Sequence, residues 1–278
     1  VLDGTVYFVT LQGTGDNTLE SVPSAGGPVT VISSPGVGGS VRQATRAVVT
    51  NASGVYWANE EGGILHVDLS GNLTYVVSPD VLVDLDVGPP DASSLHVSLP
   101  YPVTLAVDAN NVYFTPNSSV ALDFLCSTPL GGGPITTIAN VSNPVVAGEV
   151  PLSGASIVSD GTNVYWATLQ APGAMFRVPV APAGAQSLFA RAFSVGAAVT
   201  SLAVDAARLY WTEHDATGTV GAASLGTGAV TQLAVEQNYP FAVATDATSV
   251  YWANAGVDLT SIGGSPSTCS GSIVKIAK

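Results

Sequence analysis

Charge is scarce in this sequence, and positive charge scarcest. Charged residues make up 10% of its 278 positions, seven of them Lys or Arg against twenty Asp or Glu. The formal net charge of -13 repels a phosphate backbone, which excludes nucleic acid as a partner. An anionic membrane surface is disfavoured for the same reason. Two cysteines, Cys126 and Cys269, suit neither a disulfide-rich scaffold nor a zinc site. No run of eighteen apolar residues is present, so no helix is expected to span a membrane, and no basic leader with an apolar core occurs. There is no Gly-x-Ser-x-Gly elbow, His-Glu-x-x-His, Cys-x-x-Cys or P-loop, and "GVGGSV" and "GTGDNT" lack the third glycine of a dinucleotide fingerprint. The common hydrolase, metalloprotease, dithiol and nucleotide-binding chemistries are therefore without their residues.

What is abundant is apolar and small. Hydrophobic residues reach 46%, ample for a core, so disorder is excluded. With so few charges, the surface must be built largely from Ser, Thr, Asn, Gln and Gly. Cationic ligands, basic proteins and metal ions are the partners that the charge permits. The first residue is valine, which suits a processed mature product, and the scarcity of lysine suits life outside the cell.

The chain repeats when aligned on an aromatic pair. The copies read "LDGTVYFVT", "TNASGVYWAN", "VDANNVYFTP", "SDGTNVYWAT", "VDAARLYWTE" and "TDATSVYWAN", with tyrosines at Tyr7, Tyr56, Tyr113, Tyr165, Tyr210 and Tyr251. Successive tyrosines lie 41 to 57 residues apart, a period that signals propeller blades. Each copy runs through a short apolar strand, a tight turn opened by Asp or Asn, the aromatic strand, a looser loop, a third strand such as "AMFRVPV", a Gly-rich turn and a fourth strand. No stretch sustains a helical period. The expected fold is all-β: one six-bladed β-propeller domain over 1–278, with four-stranded antiparallel blades at about 1–34, 44–78, 102–139, 154–190, 198–235 and 240–278. Tyr and Trp recurring at one place in every blade is what packing between blades requires.

The fifth copy, "LAVDAARLYWTEHDATGTVGAASL", resembles the YWTD class of six-bladed propellers, with Tyr210-Trp211-Thr212-Glu213 in place of Tyr-Trp-Thr-Asp. The VYW-type pattern and the ending "GSIVKIAK" also resemble secreted bacterial propeller proteins. The resemblance implies the fold and an extracellular or cell-surface location. It implies no particular activity, since propellers host many functions.

The ring is expected to be incomplete at its termini. Val1-Leu2-Asp3 matches only the tail of an inner strand. Gly271–Lys278 matches a third strand and leaves blade 6 without a fourth; the alternative makes Val257–Ile262 the third and Ser272–Ala277 the fourth. The missing strand would come from residues before Val1 or from a partner chain by strand addition. Cys126 and Cys269 fall in blades 3 and 6, too far apart for a bond that needs Cα atoms within about 7 Å.

Strand order sorts the loops onto two faces. Asp3, Asn51, Asp108, Asp160, Asp205 and Asp246 occupy the turns from first to second strand. Most other acids collect on the opposite face, together with the longest insertions, Ser78–Tyr101, Asn140–Ser153 and Ala255–Ser270. Long loops on a rigid scaffold are where binding resides. The candidate ligand-binding residues on that face are Glu60, Glu61, Glu213, His214, Asp215 and Asp258. Oxygen ligands converging from several blades would suit calcium, although no cofactor is required by any motif. His66 and His96 read as ordinary strand and loop residues. Three functions follow: a non-enzymatic propeller that binds a protein or small ligand at its acidic loop face, a structural subunit completed by strand donation, and a metal-dependent lactonase or lyase in the central funnel. The first fits best, because no convergent base accompanies the few histidines.

Overall fold

A computed structural model of the chain describes residues 2, 4–10, 18–33, 47–58, 63–78, 82–85, 95–98, 102–116, 124–140, 156–168, 173–180, 185–256 and 271–278. All the described regular elements are strands, and every paired neighbour is antiparallel. Blade 1 is β1 (Thr5–Thr10), β2 (Thr18–Pro23) and β3 (Thr30–Ser33). Blade 2 is β4 (Val48–Asn51), β5 (Gly54–Ala58), β6 (Ile64–Asp68) and β7 (Leu73–Val77). A separate hairpin of β8 (Leu82–Leu85) and β9 (Leu95–Ser98) follows. Blade 3 is β10 (Pro102–Val107), β11 (Asn111–Pro116), β12 (Phe124–Pro129) and β13 (Thr136–Asn140). Blade 4 is β14 (Ile157–Ser159), β15 (Asn163–Ala167), β16 (Ala174–Pro179) and β17 (Ser187–Arg191). Blade 5 is β18 (Ala198–Val204), β19 (Arg208–His214), β20 (Gly218–Ser224) and β21 (Val230–Gln237). Blade 6 is β22 (Pro240–Thr245), β23 (Ser249–Asn254) and β24 (Ser272–Ala277).

Six serial meanders are the blades of a six-bladed β-propeller, the fold class that the repeat predicts. At the start of the chain Leu2 bridges only to Thr5, so blade 1 has three strands among the described residues. At the end, β24 pairs directly with β23, Trp252 opposite Val274. Ser272–Ala277 is thus the third strand of blade 6, as the preferred alignment has it; Val257–Ile262 lies outside the described residues. The β8–β9 hairpin inside the Ser78–Tyr101 insertion was not foreseen from the sequence.

The turn from first to second strand has one design. Asp108 Oδ1 accepts the N–H groups of Asn110 and Asn111 at 2.7 and 2.8 Å, and its Oδ2 accepts the Tyr113 hydroxyl at 2.6 Å. Asp160 holds Thr162, Asn163 and Tyr165 in the same way, and Asp246 holds Thr248, Ser249 and Tyr251. Asp205 takes Ala207 and Arg208, with Tyr210 at 2.9 Å. One carboxylate oxygen closes the turn, and the other satisfies the hydroxyl of a tyrosine whose ring is committed to the core. In blade 2 Asn51 replaces the acid, and the Ser53 hydroxyl relays between Asn51 Oδ1 and the Tyr56 hydroxyl.

The chain divides into two compact units, Val1–Val141 and Ser142–Lys278. In the first, Leu19, Val55, Trp57 and Leu65 pack blade 1 on blade 2, and Tyr56, Ile64, Phe114 and Phe124 pack blade 2 on blade 3. Asn51 Nδ2 adds a bond to Asp108 O at 2.7 Å. In the second, Tyr165, Met175, Leu202 and Trp211 join blades 4 and 5, and Tyr210, Ala222, Val243 and Val250 join blades 5 and 6. Ser156 and Ser201 each use a hydroxyl to accept an inner-strand N–H of the next blade, Leu202 at 3.1 Å and Val243 at 3.2 Å. Trp211 lies flat across its neighbour because Gly221 has no side chain: a Cβ there would sit 2.4 Å from the indole ring. Cys126 is a free, buried thiol, pushed up to about 12 by burial. Cys269 lies outside the described residues.

Candidate partner-binding face

Blade 5 and the start of blade 6 come together at one loop end. Here β19 turns into β20 through Asp215–Gly218, with Gly218 N–H donating to Asp215 O. The last residues of β21 and the link to β22, Glu236 to Tyr239, cross the same end. Tyr239 N–H donates to Asp215 O at 2.9 Å and Ala255 N–H donates to Tyr239 O at 2.9 Å. Asn238 exchanges two bonds with Gly256. The link is thus sewn to blade 5 on one side and to blade 6 on the other. The stretch holds two non-glycine residues in the left-handed region, Glu236 at φ 56° and Tyr239 at φ 51°, a conformation that persists only where surrounding bonds over-determine it.

The expected site residues divide here. Glu60, Glu61 and Asp258 lie outside the described residues. Glu213 is expected just beyond the second strand on the loop surface, but β19 runs on through His214 and the Glu213 side chain is fully buried. Its Oε1 accepts Phe193 N–H at 2.7 Å and Trp211 Nε1–H at 2.8 Å, and its Oε2 accepts Ser194 N–H at 2.9 Å. The carboxylate is occupied by donors from its own strand and from the segment after β17. It ties blade 4 to blade 5 rather than facing solvent. The difference arises because Trp211 brings a buried N–H that needs an acceptor.

His214 and Asp215 are half-buried at the loop end. The structure surrounds His214 with residues the sequence analysis did not single out: the Tyr239 ring at 5.2 Å between centroids and the Phe241 ring at 6.1 Å, with the Pro240 carbonyl 3.4 Å from Nδ1. Phe241 is 48% exposed. Tyr239 lies between blades 5 and 6 and Phe241 in the inner strand β22, so an alignment on Tyr-Trp passes over both; the signal available was an aromatic pair flanking the first residue of that strand. Among the described residues no three of His, Cys, Asp and Glu converge on one point.

The opposite end of this unit is chemically closed. Lys278 Nζ donates to Asp205 Oδ2 at 2.5 Å and to the Asp246 carbonyl, and lies over the Tyr210 ring. Burial pushes the Asp205 carboxyl up, but the bonds from Lys278, from the backbone of Ala207 and Arg208, and from Tyr210 outweigh it and bring it down to about 2. Burial, then the Asp205 bond and charge, push the Tyr210 hydroxyl up to about 12. Every acid of these turns is engaged, so the loop end is the face with groups to spare.

No protein-family model matches the sequence, and no curated protein sequence matches it. Solved structures do resemble the fold. A chain of a nidogen/laminin complex is similar with a TM-score of 0.59 at 15% identity, over 91% of this chain and 86% of that one. A protein of unknown function from Bacteroides thetaiotaomicron follows at TM-score 0.56 and 13% identity, over 88% of this chain and 63% of that one. TolB from Acinetobacter baumannii is similar at TM-score 0.56 and 11% identity, over 91% and 61%. The likeness is one of fold. Among the described residues no helix is long and apolar enough to cross a membrane.

Proposed function

We propose that this chain is a non-enzymatic propeller of the YWTD-like class that works outside the cell or at its surface and binds a protein partner through its acidic loop end. The observation that carries this reading is the division of labour within blade 5. Glu213, the acid directly before His214, is consumed by packing, while Tyr239, Phe241, Asp215 and Glu236 are presented on a backbone sewn down from both sides. Rigid aromatic and charged side chains on a fixed backbone suit recognition. A structure of a nidogen/laminin complex among the similar folds is in keeping with it. A lactonase or lyase would need a free base or metal ligand, and Glu213 is spoken for.

Assembly by strand addition is the second reading, favoured by one observation. β24 has no fourth strand beside it among the described residues, and Ile273 on it is 77% exposed, an unprotected edge of the kind that pairs with other chains.

A displayed peptide library selected on the protein, and counter-screened on the variant E60Q/E61Q/D215N/D258N, tests the first reading. Clones that need the four acids support it. Clones that bind the variant equally well overturn it. Sedimentation across a hundredfold concentration range tests the second: growing oligomers that dissolve on replacing Ile273 by Lys would put assembly first.

A further inference from the structure

We propose that the corner formed by His214, Tyr239 and Phe241, flanked by Asp215 and Glu236, is the seat of an arginine side chain presented by a basic protein partner. The inference rests on the loop-end reading above and gives that reading a chemistry. Three rings meet here. His214 and Tyr239 are inclined by 52° at 5.2 Å, and His214 and Phe241 by 77° at 6.1 Å. The arrangement is an open angle rather than a closed stack, so ring face remains accessible, above all on Phe241. A cation held within about 6 Å of a ring centroid gains from the negative π face, and a planar guanidinium stacks on such a face where an ammonium cannot.

Apart from the buried Glu213, the two acids closest to the corner along the chain are Asp215 and Glu236. Asp215 follows His214 directly, and Glu236 lies at the end of β21, before the link that carries Tyr239. Neither is held in an ion pair with a described residue. The chain as a whole carries -13. Such a field attracts a basic partner from a distance and leaves specificity to the contacts at the corner. An acidic or neutral peptide would gain the apolar contact and forgo the rest.

The backbone is already set for this contact. Tyr239 is fixed by bonds through both its N–H and its carbonyl, in a left-handed conformation that a tyrosine adopts only under constraint. Little ordering is left to be done when a ligand arrives, the condition under which a small contact binds well. Glu236 shares the left-handed geometry and is exposed. Replacing it by glycine should raise stability while lowering affinity for the cation. A residue kept for folding alone would not behave so.

The probe is the peptide acetyl-GSRGSRGS-amide, with a twin in which citrulline replaces both arginines and keeps their shape without their charge. Both are titrated at low salt into the labelled protein while backbone and histidine-ring resonances are followed. The arginine peptide should move the His214 ring signals and the amides of 213–218 and 236–241. The citrulline peptide should bind at least tenfold more weakly. F241A should lose about fivefold or more, and D215N/E236Q, two surface changes that leave the fold intact, should lose several-fold and flatten the salt dependence. Equal binding of the two peptides, or no movement at His214 at millimolar peptide, overturns the proposal. Shifts confined to other residues of the loop end would remove this corner and leave the loop-end reading standing. Shifts at the turns of Asp160, Asp205 and Asp246 would remove both.

Discussion

Replacing Glu213 by alanine takes the acceptor away from three buried donors at once. Phe193 N–H, Ser194 N–H and Trp211 Nε1–H approach its two oxygens at 2.7, 2.9 and 2.8 Å, and the side chain is inaccessible to water. A hydrogen bond to a charged group contributes about 1.5–3 kcal/mol, and a buried donor left without a partner costs about 1–3 kcal/mol. The three are not additive, because Phe193 stacks on Trp211 and the segment can relax as one piece. A loss of about 3–5 kcal/mol is expected for alanine, within the range seen when one partner of a buried charged network is removed. Glutamine keeps the volume and one carbonyl oxygen, which can still serve Phe193 and Trp211. Its amide then faces the Ser194 N–H, donor against donor, for a loss of about 1–3 kcal/mol. At about 2–4 °C of melting temperature per kcal/mol in a chain of this size, E213A should melt about 10 °C below the parent and E213Q about 5 °C below. Urea unfolding followed by tryptophan emission gives the free energies directly. E213A within 0.5 kcal/mol of the parent, on the order of measurement error, would refute the structural role. So would E213Q at parental stability with lost binding, which would return the acid to the functional site.

Gly221→Ala would drive a methyl group to within 2.4 Å of the Trp211 ring, so the indole must leave its place across β20; a loss of about 1–3 kcal/mol in the same urea assay is expected, and a neutral result would mean the ring is not held there. Lys278→Met removes the cation that helps bring the Asp205 carboxyl down to about 2, well below the ordinary aspartate range. A carboxyl lowered in the folded state stabilises above the unfolded value and loses that contribution as pH falls from about 4 to 2. The variant should therefore be less stable than the parent at pH 6, by under about 1 kcal/mol for the ion pair because it is partly solvated, and the gap should narrow toward pH 2, leaving what Lys278 gains from the Asp246 carbonyl and the Tyr210 ring. A difference that grows toward acid would contradict the assignment. The Cys126 thiol, buried and pushed up to about 12, should ignore a thiol-specific disulfide reagent at pH 8 until urea unfolds blade 3; prompt labelling of Cys126, located by peptide mapping, would contradict its burial.

The fold was legible because its determinants are local and repeated. An Asp or Asn at a turn and a tyrosine five residues later recur from Asn51/Tyr56 to Asp246/Tyr251, and each pair marks where a first strand ends and a second begins. The constant interval also announced the hydrogen bond between the two residues, a connection that reading the acid as a turn former and the ring as a packing group leaves out. The β8–β9 hairpin stands outside the repeat and so escaped it. Of the six candidate residues, His214 and Asp215 stand at the loop end, Glu213 is buried beneath it, and Glu60, Glu61 and Asp258 lie outside the described residues. Tyr239 and Phe241 meet His214 because the Glu236–Tyr239 stretch is bent by two left-handed residues, and no alphabet of turn formers puts Glu and Tyr in that conformation. The bend exists only because blades 5 and 6 clamp it.

Glu213 shows why an acid beside a histidine is weak evidence for chemistry in this architecture. Each blade with a Tyr-Trp pair brings an indole N–H into the space between blades, and the burial that stabilises the ring leaves that donor to be satisfied. Blade 5 answers with Glu213, two residues on. Blade 6 has Asn254 at the same position and takes its acceptor from the preceding blade: Gln237 Oε1 receives Trp252 Nε1–H at 2.9 Å and Asn254 Nδ2–H at 3.1 Å. In blade 2 the Trp57 Nε1–H has no partner among the described residues. In blade 5 the position two after the tryptophan is therefore claimed by an indole before it is open to a ligand, whereas in blade 4 Thr168 at that position accepts the Ala174 N–H. By the same reasoning the groups that face a partner must be sought where no indole, tyrosine hydroxyl or backbone N–H makes a prior claim. Where blade 5 meets blade 6 that condition is met by Asp215, by Glu236 at the end of β21 and by the open face of Phe241 at the start of β22.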